Sequence, residues 1–317
     1  MSSVFDRPVS RRSVLLGGVA AGVAAAGGGR AASAAEAQLP LITRTIPSTG
    51  EKIPVVGIGT NAFDVTAAED IAARREVLQN LPLLGGSLVD TANAYGKSEE
   101  VIGQLAAELG NRDKLFLSTK TPLRADLSNP KALVDESFRR LKTDRIDLFE
   151  IHNFFGVAEL LPVLMEYKQA KKIRYIGMTT SFDPQYAQML DAIRQQPLDF
   201  IQVNFSIAAR TSAKEILPAA RDKGMAVLGN QPFGGVRGSF MPSLLKQPLP
   251  AWASEVDATS WAQLLLKYNL TQPGITAVIP GTTILAYLQD NQRAARGRLP
   301  DAAFRKRLED HWATLAL

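Results

Sequence analysis

The sequence predicts an α/β protein, a (β/α)8 TIM barrel forming a single domain, preceded by an N-terminal β-hairpin and a signal segment. Three observations predict it. Short apolar runs alternate with helix-length segments from about residue 55 onward. Eight such runs recur, mostly 25 to 32 residues apart, in a body of about 280 residues. That alternation requires a parallel sheet, and eight units of this length fit one barrel. Finally, no Gly-x-Gly-x-x-Gly turn follows the first run, which weighs against an open doubly wound sheet.

The first element is a leader over residues 1–34. Arg11-Arg12 opens an apolar, Gly/Ala-rich run to about Gly29, and Ala32-Ser33-Ala34 and Ala35-Glu36-Ala37 are candidate cleavage sites. A charged start, a short apolar middle and a small-residue end describe a secretory signal. The paired arginines resemble a twin-arginine (Tat) export signal, an address read by a receptor. The run is too short and glycine-rich for a membrane anchor. The expectation is a disordered or removed leader, cleaved between about Ala34 and Gln38. The twin-arginine translocation machinery is then a partner, and the product is exported, periplasmic or extracellular, without a stable membrane span after processing.

Composition narrows the rest. The leader holds four arginines against one aspartate, so most of the net charge of +5 belongs to it. No basic cluster interleaves with aromatics, so no nucleic-acid partner is implied. There is no cysteine, which removes disulfide and thiolate chemistry. Two histidines, His152 and His311, leave no multi-histidine metal site, and no calcium-loop spacing is present.

The barrel body over residues 39–317 begins with Leu41–Ile46, a turn at Pro47-Ser48-Thr49-Gly50, and apolar Ile53–Ile58, a hairpin whose second strand enters the core. Thr66-Ala-Ala-Glu69 reads as a capping box opening a helix to about Leu83. Leu88–Asp90 is a strand. Ser98 reads as the N-cap of a helix ended by Gly110. Leu115–Thr119 is a strand ending at Lys120, and Asn129-Pro130 opens a helix to about Leu141. Ile146–Ile151 is a strand ending at His152. Further strands are expected at Arg174–Met178, Phe200–Val203, Ala226–Gly229 and Ala277–Ile279. Asp183-Pro184 opens one intervening helix and Gly224 closes another. The long glycine- and proline-rich interval from Asn230 to about Thr259 is expected to lie over the barrel mouth.

In such a barrel the active site forms at the carboxyl ends of the strands. Asp90, Lys120 and His152 fall at three consecutive ends, and Tyr95 lies on the loop after the first of them. Each alone has an ordinary structural use. Together they suit proton exchange with a carbonyl/alcohol pair. A lysine ammonium near a tyrosine hydroxyl favours the phenolate and is expected to lower its pKa. Asp90 would hold the lysine, and neutral His152 would polarise an oxygen in the same pocket.

These residues carry a resemblance. Asp90-x-Ala92-x-x-Tyr95-Gly96, Lys120 after Ser118-Thr119 and His152 after Ile151 resemble the signature of the aldo/keto reductase family, and the likeness runs from about Leu41 to the end. It implies a barrel that binds NADP(H), or NAD(H), without a Rossmann domain and reduces an aldehyde or ketone to an alcohol. By this resemblance Tyr95 is the general acid, Lys120 tunes it, Asp90 partners the lysine and His152 orients the carbonyl. The cofactor positions it implies depart from the common pattern. Gly177-Met178-Thr179-Thr180 replaces Gly-Val-Ser-Asn, leaving Thr179, Thr180 and Gln202, with Asn204, for the carboxamide. Asn230, before Gln231, stands where many members place a tyrosine stacked on the nicotinamide, leaving Phe233 as one cover for the ring. Pro280, Gly281, Thr282 and Thr283, with Tyr287, Asp290 and Asn291, resemble the segment gripping the adenosine phosphate. Gly281 and Tyr287 stand where many NADP-using members carry lysine and arginine.

Two other readings stay open on the sequence: a non-catalytic nicotinamide-binding accessory barrel, and a barrel glycosidase using Asp147 and Glu150. Phe63, Phe154, Phe155 and the loop from Gly234 to Trp252 are the expected lining of the substrate pocket.

Overall fold

The computed structural model describes residues 39–235 and 238–315. The leader, its cleavage sites and Arg237 lie outside the described residues.

The chain enters through a hairpin, β1 (Thr43–Thr45) and β2 (Lys52–Pro54), paired antiparallel. The expected single strand over residues 53–58 is divided: Pro54 ends β2, and a second short strand, β3 (Ile58–Gly59), begins the barrel. Gly57 sits at the join. A Cβ there would lie 2.7 Å from Leu88 Cγ, so only glycine lets the chain pass this close to its neighbour.

From β3 the alternation runs regularly. α1 (Ala68–Asn80), β4 (Leu88–Asp90), α2 (Ser98–Leu109), β5 (Phe116–Lys120) and α3 (Pro130–Arg140) follow in order. Next come β6 (Ile146–His152), α4 (Val157–Gln169), β7 (Ile173–Thr180), α5 (Tyr186–Gln195), β8 (Phe200–Asn204), α6 (Ile216–Asp222) and β9 (Ala226–Asn230). A mouth segment carries the two-residue strands β10 (Gly234–Gly235) and β11 (Gly238–Ser239) and the short helix α7 (Met241–Leu244). The chain closes with α8 (Trp261–Leu270), β12 (Ala277–Val278), α9 (Leu285–Arg293) and α10 (Ala302–Thr314).

The eight barrel strands are parallel, in the order β12-β9-β8-β7-β6-β5-β4-β3. Bridges between Val56 and Val278, and between Gly59 and Gly281, close the ring. The seam is held by backbone bonds, Gly57 N–H to Val278 C=O and Gly59 N–H to Pro280 C=O, both at 2.9 Å.

Local signals hold at some helix ends and fail at others. Asn129 accepts from the Ala132 N–H as expected of a cap, and Gly110 adopts the left-handed conformation that ends α2. Thr66 and Glu69 form no capping box: α1 starts at Ala68 behind Ala67 without a side-chain cap, and stops at Asn80. Pro82 then starts a separate 3-10 turn. Ser98 is the first residue of α2 and not its cap. Its hydroxyl is buried and donates to the Thr60 carbonyl at 3.0 Å, because the barrel rim competes for it.

Alternate residues of each strand face the lumen. The lower layer is apolar, with Leu88, Phe116, Leu148, Tyr175, Phe200 and Ala226 packed on Ile46 and Ile53 of the hairpin, which plugs the bottom. Two residues further along β4, β5, β6 and β8 the lumen turns polar at Asp90, Ser118, Glu150 and Gln202, all buried. Burying charge this way demands pairing, and this layer holds the candidate site. Among the described residues no helix is long and apolar enough to cross a membrane.

Candidate active site

Asp90, Lys120 and His152 are the final residues of β4, β5 and β6, which brings them to one side of the mouth. Lys120 is 1% exposed, and its ammonium donates to Asp90 Oδ2 at 2.7 Å and to the Thr91 carbonyl at 2.8 Å. The Tyr95 ring lies over it, with Nζ 5.1 Å from the ring centre. His152 meets the same ring edge to face, with the ring centres 6.2 Å apart. The loop carrying Tyr95 is fixed just beyond it. Gly96 is left-handed, its Cα packed so tightly on Asp64 that a Cβ would come within 2.3 Å of Cγ. The Lys97 N–H then donates to Asp64 Oδ1.

The electrostatics differ from the expectation in one respect. Lys120 does pull the Tyr95 pKa down, but burial, Asp90 and Glu150 together outweigh it, so the phenol is raised above its ordinary value. The ammonium's charge is already matched by Asp90. Burial alone would lower the pKa of Lys120, yet Asp90, Tyr95 and Glu150 raise it, so the group stays charged. His152 is brought down to about 3, first by burial and then by Lys120, and is therefore neutral at physiological pH.

Behind the pair lies a hydrogen-bonded cluster centred on Gln202. Its Nε2 donates to Asp90 Oδ1 at 2.9 Å and to Glu150 Oε2 at 3.0 Å. Its Oε1 accepts from Thr179 Oγ1 and Asn230 Nδ2, both at 3.1 Å. All four positions of the amide are used, so Gln202 braces Asp90 as well as lining the mouth.

A cavity of about 410 Å³ opens above the site. Asp90, Tyr95, Gln202, Asn230, Gln231, Phe233 and Gly281 line it. So do Gly234 and Ser239 of the loop expected there, and Gly59, Thr60, Asn61, Ser181 and Pro232, to which the sequence drew no attention. Position was their available signal: Thr60 and Asn61 follow β3, and Ser181 follows β7, each just past a strand's carboxyl end.

The remaining predicted residues are placed less directly. Thr180 is buried and donates to Gln185 Oε1 at 2.6 Å, ordering the turn before α5. Asn204 accepts from Tyr186 and donates to Asp183. Thr282 donates to the Pro280 carbonyl and accepts from Asn291 Nδ2, shaping the tight segment after β12. Asp290 is committed to Ser260 and Gln263 at the start of α8. The Thr283 carbonyl accepts from Arg74, which grips the segment from behind and also donates to the Ala62 carbonyl. Tyr287 is 58% exposed.

Two expected pocket aromatics lie elsewhere. Phe63 is fully buried in the core under Arg74. Phe154, held left-handed at φ 61°, packs with Val157 and Met178 in a groove beside α5. Asp147 and Glu150 sit three residues apart on one strand and so face opposite sides of it. Asp147 accepts from Arg112, Arg174 and the Leu117 N–H, while Glu150 faces the lumen. They do not form the facing pair that glycoside hydrolysis requires.

Comparison with known proteins agrees with this geometry. The aldo/keto reductase family model matches residues 55–312. The aldo-keto reductase YhdN of Bacillus subtilis is 32% identical over 200 residues, covering 58% of this chain and 60% of YhdN. The methylglyoxal reductase YeaE of Escherichia coli is 28% identical, over 79% of this chain and 88% of its own. Among solved structures, the holo form of aldo-keto reductase AKR11C1 from Bacillus halodurans superposes with a TM-score of 0.66 at 23% identity. That match covers 86% of this chain and 96% of the other. With the family model spanning every barrel strand and the whole mouth, the chain belongs to the aldo/keto reductase family, whose members are oxidoreductases acting on carbonyls.

Proposed function

We propose that this chain is a nicotinamide-dependent carbonyl reductase that converts an aldehyde or ketone to an alcohol, with Tyr95 as the proton donor. The observation carrying this reading is that Tyr95, at the wall of an open cavity, packs against both the Lys120 ammonium and the His152 ring. A phenol with a raised pKa holds its proton until the carbonyl oxygen becomes basic enough to take it. The phenolate left behind faces the Lys120 ammonium, which Asp90 keeps in place. Neutral His152 has one N–H to offer the same oxygen.

The cavity fits a nicotinamide. Asn230 Oδ1 is a buried acceptor without a partner, at a residue lining the cavity, and a carboxamide N–H would satisfy it. Thr179 and Gln202 lie beside it, and Phe233 supplies an apolar wall. Pro280, Gly281, Thr282 and Thr283 would hold the phosphates, with Tyr287 beside them. When bound, the cofactor supplies the hydride. Because Gly281 and Tyr287 bring no charge, we place the cofactor as NADP(H) with NAD(H) also accepted. Fluorescence titration with NADPH and NADH, followed by turnover of a simple aldehyde, tests the reading. Binding without turnover would favour the accessory barrel instead.

We propose further that residues 1–34 direct export through the twin-arginine route, on the support of Arg11-Arg12 and the Gly/Ala-rich run behind them.

A further inference from the structure

Glu150 is a fully buried carboxyl that the chemistry above does not use. Its strand register places it beside Lys120 on β5 and Gly177 on β7. A Cβ at Gly177 would lie 3.0 Å from Glu150 Cγ, so the missing side chain makes the space the carboxyl occupies. Oε2 accepts from the same Gln202 amide group that donates to Asp90, and Oε1 has no partner. The charged or titratable groups around it are Asp90 on β4, Tyr95 on the following loop, Lys120 on β5, and His152 on its own strand. Ser118, Gly177 and Gln202 complete its surroundings and add no charge. One ammonium therefore serves two carboxyls, and Lys120 touches Asp90.

We propose that Glu150 is a positioning residue of this reduction site, a second lumen carboxyl that sets the pH range over which Tyr95 keeps its proton. The proposal rests on the functional reading above. Two buried carboxylates sharing one cation do not both ionise freely. Asp90 has the closer contact, so Glu150 keeps its proton at neutral pH, pushed up mainly by burial and further by Asp90 against the pull of Lys120. As pH rises it ionises and adds a negative charge to the group facing Tyr95. That charge opposes formation of the phenolate. The donor thus stays protonated where Lys120 alone would have released its proton.

The experiment follows Tyr95 directly, by tyrosinate absorbance of the full chain minus that of the matching Tyr95→Phe protein. It also records kcat/KM for aldehyde reduction against pH. Glu150→Gln should let Tyr95 ionise at lower pH and move the alkaline limb of reduction the same way. The wild-type advantage should grow at least about threefold from neutral pH to that limb. Glu150→Met, apolar and of similar length, should do the same even if the amide variant fails to fold, while Glu150→Asp should restore the wild-type profile. Turnover that depends on Tyr95, with absorbance and limb unmoved in the Gln and Met variants, overturns the proposal. A displaced absorbance titration without turnover in any protein overturns the functional reading and leaves the coupling standing.

Discussion

The rings of Tyr95 and His152 meet at 85°, edge to face. On the proposed reading the Tyr95 hydroxyl and the His152 imidazole would both address one carbonyl oxygen. From this follows the first prediction. Tyr95→Phe should abolish nearly all carbonyl reduction, by about 10²–10⁴-fold, and leave cofactor affinity within a few-fold. Steady-state kinetics beside a fluorescence titration measures both. A variant retaining most of its activity would remove Tyr95 from the role of donor.

Cofactor preference should be relaxed. A lost charge-assisted contact to a phosphate is worth about 1.5–3 kcal/mol, so the absence of cations at Gly281 and Tyr287 should weaken NADPH preference at least tenfold relative to relatives that carry them. Arg74 spends donors on the Thr283 and Ala62 carbonyls, so it does not replace the missing charge. The ratio of the two dissociation constants is the readout. A preference for NADPH above about a thousandfold would refute this.

Stability should depend on pH through two lumen groups with opposite signs. Glu150 has a raised pKa in the fold, so its contribution is complete below the unfolded carboxylate value and is lost as pH rises through the folded one. His152 is lowered to about 3, so the unfolded chain takes up its proton first, and stability falls as pH drops from about 6.5 towards 3. Glu150→Gln should therefore flatten a plot of unfolding free energy against pH between about 4.5 and 8, by about 1 kcal/mol per pH unit across that window. His152→Gln should flatten the acid side. Parallel curves for wild type and both variants would contradict the assignment.

Breaking the buried pair should be costly in itself. Lys120→Met leaves Asp90 with Ser118 and Gln202 but no cation, and removing one partner of such a pair costs about 3–5 kcal/mol. A denaturant midpoint close to wild type at neutral pH would show the pair to be dispensable.

Replacing Arg11 and Arg12 together by lysine should leave unprocessed, active protein inside the cell. Fractionation and the N-terminal sequence of the product decide this. Processed protein outside the cell would end the twin-arginine reading and leave the barrel untouched, since the family match begins at residue 55.

The strands were readable because buried parallel strands are continuous apolar runs, and their polar ends stand out, as at Asp90, Lys120 and His152. What stayed hidden were contacts between distant segments. The Ser98 hydroxyl was claimed by Thr60, just past β3 and nearly forty residues away, and so did not cap its helix. Phe63 and Phe154 looked like mouth residues from chain position, but Phe63 is buried in the core beneath the Arg74 guanidinium and Phe154 lines a separate groove with Met178. The Tyr95 shift turned on Lys120 against burial and Asp90, with Glu150 adding to the latter, and a linear sequence does not show which side chains share the lumen until the register is known.

The seam between Gly59 and Gly281 has a consequence for biosynthesis. One wall of the cavity comes from the first barrel strand and the adjoining wall from the segment after the last. A ribosome-bound chain cannot complete the proposed cofactor site until the segment after β12 has emerged, however well the earlier strands have paired. Occupancy of that site would therefore mark a chain grown past β12, and a truncated product ending before β12 would lack both ring closure and the ligand's stabilisation.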